Sequence, residues 1–171
     1  MRLFIAVNFD EETKARLIKL QQKLKAQGSG NFTHSHNLHL TLAFLGEVSA
    51  DRGADASAAM DCTAVSPMEL IFDHVGSFTR DGGDIWWIGL KENRTFMDMQ
   101  QRLYTKLKDK GFVLESRRFS PHITLAREYN GRDLDAKGLL EHQFSTSVSA
   151  ISLMLSERMG GKLIYTELYR R

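Results

Sequence analysis

The 171 residues contain one cysteine, Cys62. A single thiol excludes an intrachain disulfide and a thiolate zinc site, and the expected setting is the reducing cytoplasm. Only two prolines occur, and no Gly/Ser-rich or charged block is long enough to act as a linker. One compact unit spanning residues 1–171 is therefore expected, a length suited to a single domain. No apolar run approaches the roughly 20 residues that a membrane span needs, so a membrane is not expected as a partner. The start runs from Leu3-Phe4-Ile5-Ala6-Val7 straight into Asn8 and Asp10 without a small-residue cleavage site, which reads as a first strand rather than a signal peptide. Neither sign of charge dominates. Lys+Arg 23 against Asp+Glu 21 gives +2. That permits an anionic partner but does not coat nucleic acid by charge alone, so any nucleic-acid contact is local, as at one strand end.

What the sequence does have is a repeat. An offset of 83 residues, as from His39 to His122, lays Ile5 on Ile88, Asp10 on Asn93, Leu20 on Leu103, Leu24 on Leu107 and Gly28 on Gly111. At the same offset, and with no gap, His39-Leu40-Thr41-Leu42-Ala43 falls on His122-Ile123-Thr124-Leu125-Ala126. The units read as residues 2–43 and 85–126. In each, a short apolar strand (Leu3 to Val7; Ile85 to Leu90) precedes an N-cap residue, Asp10 or Asn93. A helix with one apolar stripe follows, Leu17, Leu20 and Leu24 or Phe96, Met99, Leu103 and Leu107. Gly28 and Gly111 are each suited to the left-handed closing position. Around these units, residues 50–64 are alanine-rich and weakly helical, Glu69 to Phe78 reads as a strand, and Leu134 to Glu141 as a short helix. Val148 to Leu155 and Leu163 to Tyr169 read as a hairpin about Gly160-Gly161. The sum is a mixed α+β domain of two similar lobes.

In a strand, residues i and i+2 share a face. His39 and Thr41 therefore face one way and Leu40 and Leu42 the other; His122 and Thr124 are likewise opposed to Ile123 and Leu125. The apolar faces have helix stripes to pack against, and the His/Thr faces do not. An approximate two-fold brings the latter together around one cleft. Composition alone predicts about 0.35 His-x-Thr triplets in this chain, and two occur in register with a longer repeat. The competing account is a pair of buried histidines hydrogen-bonded to neighbouring threonines after a duplication. Chemically, two imidazoles with ordinary pKa values of about 6.5 serve as base and acid across a phosphorus. The threonine hydroxyls donate to phosphate oxygens. No metal, cofactor or covalent intermediate is called for. The near-symmetric repeat leaves open which histidine is the acid.

The duplicated His-[Leu/Ile]-Thr-Leu resembles the signature of the 2H phosphoesterase superfamily. Three longer strings look like its bacterial and archaeal RNA 2′,3′-cyclic phosphodiesterase branch, also called 2′-5′ RNA ligase. They are Arg2-Leu3-Phe4-Ile5-Ala6, Asn37-Leu38-His39-Leu40-Thr41-Leu42-Ala43-Phe44-Leu45-Gly46 and Pro121-His122-Ile123-Thr124-Leu125-Ala126-Arg127. The resemblance runs through the whole chain to the Gly161…Tyr165 hairpin. It implies an α+β fold of two pseudo-symmetric lobes, mostly antiparallel sheet flanked by helices, around a central cleft. It implies metal-independent opening of a 2′,3′-cyclic phosphate at an RNA 3′ end to a 2′-phosphate, with His122 as base, His39 as acid, and Thr41, Thr124 and Arg127 at the phosphate. Reversible 2′-5′ ligation goes with it, and RNA ends or small nucleotides are the implied partners of a monomer. Phe32-Thr33-His34-Ser35-His36 stands where the family often has a Trp-containing lead-in. Rival readings are a non-catalytic nucleotide-binding module and a 2H enzyme for another cyclic or 2′-5′ nucleotide.

Other features read more plainly. His34 and His36 are a loop, His74 and His142 structural, and Cys62 helix packing. Of Trp86 and Trp87 at least one fills core. Phe44 belongs to the apolar face of a regular strand. Arg117 and Arg118 sit close enough to the second motif to reach phosphates at the cleft mouth. Arg170 and Arg171 read as a mobile tail.

Overall fold

The computed structural model describes residues 1–131 and 135–171. Its elements, in chain order, are β1 (Arg2–Asn8), α1 (Glu11–Lys25), β2 (Gly28–Phe32), β3 (His39–Glu47), α2 (Arg52–Asp61), β4 (Met68–Phe78) and β5 (Asp84–Leu90). Then come α3 (Arg94–Asp109), β6 (His122–Gly131), α4 (Ala136–Leu139), β7 (Phe144–Val148), β8 (Ser152–Met159) and β9 (Lys162–Arg170). A 3-10 turn at Ser35–Asn37 leads into β3. Two antiparallel sheets result, β3-β1-β8-β9 and β2-β6-β5-β4-β7. The fold is thus mixed α+β, with the two duplicated strand pairs, β1/β3 and β5/β6, in separate sheets.

Local chemistry explains the elements. Leu3, Ile5 and Val7 enter the main core, while Phe4 and Ala6 join Met154 in a small cluster on the other face of the sheet. Asp10 Oδ1 accepts from Thr13 N at 2.8 Å and Asn93 Oδ1 from Phe96 N at 3.0 Å, so both helices open on a side-chain cap. Leu17, Leu20 and Leu24 are buried, as are Phe96, Met99, Leu103 and Leu107. Gly111 closes α3 at φ +78°. Gly28 does not play that part for α1. It starts β2 and packs so close to Tyr129 that a Cβ there would lie 2.5 Å from the phenol oxygen.

Strand pairing also corrects the register of the repeat. Ile5 pairs with Ala43 and Ala6 with Thr41, whereas Trp86 pairs with Ala126 and Trp87 with Thr124. Ile5 therefore corresponds to Trp86, not Ile88. The gapless match fails because the second unit has two more residues between the strand position opposite its histidine and its helix cap, Leu90-Lys91-Glu92 after Gly89 against Phe9 after Asn8. The helices cross between sheets: α1 packs against β2 and β6, and α3 sends Gln100 to β3. The buried faces of both belong to one continuous core.

Elsewhere the structure differs in detail. β2, Gly-Ser-Gly-Asn-Phe, has no apolar alternation and forms because β6 offers it an edge. Val148 ends β7 in the second sheet, so the hairpin begins at Ser152 and turns through Gly160 and Gly161 at φ +57° and +80°, a two-residue turn of the primed type. Of the stretch from Leu134 to Glu141, Ala136–Leu139 is helical and Leu134 lies outside the described residues. Cys62 is exposed at the end of α2 rather than packed. The tail is tied down, because Arg171 and Ile151 exchange both backbone hydrogen bonds, at 2.8 and 2.9 Å. No helix among the described residues is long and apolar enough to cross a membrane.

Candidate active site

β3 and β6 each carry two bulges, and these decide which side chains meet in the cleft. Against β1, Leu42 and Leu45 are skipped; against β5, Leu125 is skipped and a further residue is gained between Ala126 and Tyr129. A bulge reverses the alternation beyond it. His39 and Thr41 face the cleft, and past the bulge at Leu42 so does Phe44. His122 and Thr124 face it, and past the bulge at Leu125 so does Arg127. Phe44 is accordingly 40% exposed, not on the apolar face where a regular strand would put it. Glu128 takes φ +50° at the second bulge of β6 and accepts from Asn31 Nδ2 at 2.5 Å.

The carbonyls freed by the first bulges are not left bare. Gln100 of α3 donates from Nε2 to Leu42 O at 3.0 Å. Gln21 of α1 donates to Leu125 O at 2.8 Å and to Thr33 O at 2.7 Å. Each amide comes from the helix of the other repeat. Both glutamines are buried, as buried polar groups with partners normally are. Sequence spacing does not reveal them, because Gln21 and Gln100 do not match at the repeat offset.

The two histidines are anchored alike. Nδ1 of His39 lies 2.6 Å from Asn37 O, and Nδ1 of His122 lies 2.7 Å from Ser120 O. A carbonyl can only accept, so Nδ1 carries the proton and donates, and the neutral ring keeps its lone pair on Nε2. For His39 that nitrogen is 3.0 Å from Thr41 Oγ1. Phe4 and Tyr165 hold the His39 ring, with centroids at 4.9 and 5.1 Å. Phe78 and Trp87 flank His122 at 5.6 and 6.0 Å.

Burial pushes both imidazoles below the ordinary histidine value, against the upward pull of their carbonyl partners. Arg127 pushes both down further. His39 also feels His122, and His122 feels Arg117. His39, His122 and Arg127 line one space. Burial holds the Tyr165 phenol above its usual value, leaving it a neutral hydroxyl.

That space is a cavity of about 600 Å³ containing all five expected residues, His39, Thr41, His122, Thr124 and Arg127. Thr33, Asn37, Phe4, Tyr165, Arg2 and Arg158 line it as well. Most of the wall belongs to the first sheet. Arg117 and Arg118 are exposed and outside the lining. Trp86 is core, while Trp87 is half-buried behind His122 rather than in the cleft. His34 and His36 are exposed, and no cluster of three metal-ligating side chains occurs among the described residues. Tyr165, Arg2 and Arg158 are not legible in the sequence as site residues because they come from strands outside the His-x-Thr pair. Chemically, the cleft offers two proton-transfer groups, two hydroxyls and a guanidinium, a set matched to a phosphate.

Known proteins resemble this one in sequence and in fold. A family model described as the 2′-5′ RNA ligase superfamily matches residues 5–159. The RNA 2′,3′-cyclic phosphodiesterase of Archaeoglobus fulgidus is 31% identical over 128 residues, covering 74% of this chain and 72% of the relative. The Escherichia coli protein of that name is 29% identical over 171 residues, covering 99% and 94%. The crystal structure of E. coli LigT complexed with 3′-AMP superposes with a TM-score of 0.88 at 29% identity, covering 99% of this chain and 96% of that one.

Proposed function

The chain belongs to the 2′-5′ RNA ligase superfamily, and from that membership and the cleft we propose that it is an RNA 2′,3′-cyclic phosphodiesterase leaving 2′-phosphomonoester ends. The observation that carries the reading is the matched pair of histidines, each anchored through Nδ1 to a carbonyl two residues earlier and each on the wall of one cavity. Water attacks the cyclic phosphorus and gives its proton to Nε2 of neutral His122. The P–O3′ bond breaks in line, and O3′ takes its proton from Nε2 of protonated His39. Thr41 and Thr124 donate to the non-bridging oxygens, and Arg127 offsets their charge. Each proton transfer contributes about 10²–10⁴-fold.

The asymmetry of the cleft supports this assignment of acid and base. The departing O3′ stays on the ribose, so the acid sits on the nucleoside side. Most of the cavity wall belongs to the first sheet, which also carries His39. Water then arrives from the His122 side. A 5′-hydroxyl in place of water makes a 2′-5′ linkage by the same steps, and the high concentration of water favours hydrolysis.

The test is incubation with a short RNA ending in a 2′,3′-cyclic phosphate, in EDTA. A 2′-phosphate product is expected, with His39→Ala and His122→Ala each slowing its formation by at least about 10²-fold. A 3′-phosphate product would reverse the leaving oxygen. Wild-type rates in both variants would sink the proposal, and tight nucleotide binding without turnover would make the chain a binding module.

A further inference from the structure

The cavity does not end at the reacting centre. On β1, Arg2 lies two residues from Phe4 on the same face, about 7 Å along the strand, and the Phe4 ring is 4.9 Å from that of His39. The Arg2 guanidinium is laid over Phe44, 5.1 Å from the ring centroid. Arg158 comes up beside it from β8, two residues beyond Ser156, the partner of Arg2 across the β1/β8 ladder. Neither arginine has a carboxylate within ion-pairing distance among the described residues. Of the carboxylates bordering the same wall, Glu47 is engaged by the N-terminal ammonium at 3.7 Å and Glu157 stands next to Arg158. Arg158 itself donates to Gly161 O at 3.2 Å.

The second lobe offers the cavity no such pair. Counting back from the matched strand residues, Gly83 stands where Arg2 does and Ile85 where Phe4 does. Its own stacked arginine, Arg80 over Phe78 at 5.7 Å, lies outside the cavity lining, as does Arg117. Beyond the reacting centre the cationic lining of the cavity is therefore on the first sheet. A guanidinium held flat on an aromatic ring keeps its edge donors free and loses little freedom on binding an anion.

We propose that Arg2, seated on Phe44, and Arg158 form a subsite for the phosphodiester preceding the terminal nucleotide, so that the cleft selects oligonucleotide ends over single nucleotides. The inference rests on the reading of the reaction given above and adds to it a second phosphate and a direction for the strand. The nucleoside bearing the cyclic phosphate sits against Phe4 and Tyr165, and the chain leading to it runs over the first sheet towards Arg2.

The experiment compares a nucleoside 2′,3′-cyclic phosphate with a dinucleotide ending in the same group. The unaltered protein should prefer the dinucleotide in kcat/KM by about tenfold or more, the scale of one charge-assisted hydrogen bond. Arg2→Gln and Arg158→Gln should each cut that ratio several-fold. Phe44→Leu, which keeps an apolar side chain but removes the ring beneath Arg2, should cut it by less. In the arginine variants the slope of log kcat/KM against log salt for the dinucleotide should also become shallower, by about 0.7 for each phosphate charge that is no longer neutralised. A ratio near one in the unaltered protein, or one that survives in the double arginine variant, overturns the subsite. Affinities for the two 2′-phosphorylated products give the same comparison without turnover. If neither cyclic phosphate is hydrolysed but the products still bind in an arginine-dependent ratio, the reaction fails and the subsite stands.

Discussion

Gln100→Leu tests whether the cleft depends on amides donated across the repeat. The side chain is 6% exposed, and its Nε2 donates to the carbonyl of Leu42, which the bulge removes from the β1 ladder. Leucine fills similar volume without a donor. The carbonyl then stays buried and unpaired, at a cost of about 1–3 kcal/mol. For a chain of this size each kcal/mol lowers Tm by about 2–4 °C. Because Leu42 directly follows Thr41, relaxation of the bulge also moves the hydroxyl beside His39, and kcat should fall. Gln100→Glu is the sharper version. At neutral pH its carboxylate faces a carbonyl, acceptor against acceptor, whereas the protonated acid can donate. The folded state then raises the pKa of that carboxyl, so the variant gains stability relative to Gln100→Leu as pH falls and loses it as pH rises. Urea unfolding at pH 5 and pH 8 measures the difference. Equal stability of all three proteins at both values would refute the role given to the amide.

Two further outcomes concern protons. Both imidazoles lie below the ordinary histidine value in the free protein, while a bound phosphate anion favours their charged forms. The limbs of the kcat profile, which report the complex, should therefore lie at higher pH than those of kcat/KM; coincident limbs would count against the anion sitting between the rings. For stability, the unfolded chain protonates His39 and His122 before the folded one does, so folding free energy should decline as pH drops below about 6.5. His39→Gln should flatten that decline in denaturant titrations, and an unchanged slope would contradict the burial argument.

The duplicated framework is readable in the letters because its causes are local. Asp10 and Asn93 announce their helices by capping chemistry, and the alternation in His39–Leu42 and His122–Leu125 announces which side faces solvent and which faces core. Phe44 departs from that alternation because a bulge is a property of two paired strands, and one strand read alone looks regular. The same holds for the glutamines, whose partners are carbonyls 58 and 104 residues away. β2 is invisible in the sequence for a related reason: Gly-Ser-Gly-Asn-Phe becomes a strand only where β6 supplies hydrogen bonds and Gly28 lets Tyr129 approach.

The pair Phe44 and Arg127 explains how a near-symmetric frame builds an asymmetric cleft. They occupy matching places, each just past the first bulge of its strand, and both turn into the cavity. One presents a ring and the other a permanent charge. Arg127 depresses the pKa of both histidines and of Tyr165, while Phe44 carries Arg2. Removing the charge without the bulk, as in Arg127→Met, takes away a cation that disfavours a second one nearby. Both histidines should then titrate at higher pH in the free protein, followed through their ring proton resonances, and both limbs of kcat/KM should move the same way. Phosphate affinity should fall at the same time, because the cation that opposed protonation also attracted the anion. Unmoved midpoints, or a shift confined to one ring, would mean that Arg127 does not stand between the two imidazoles.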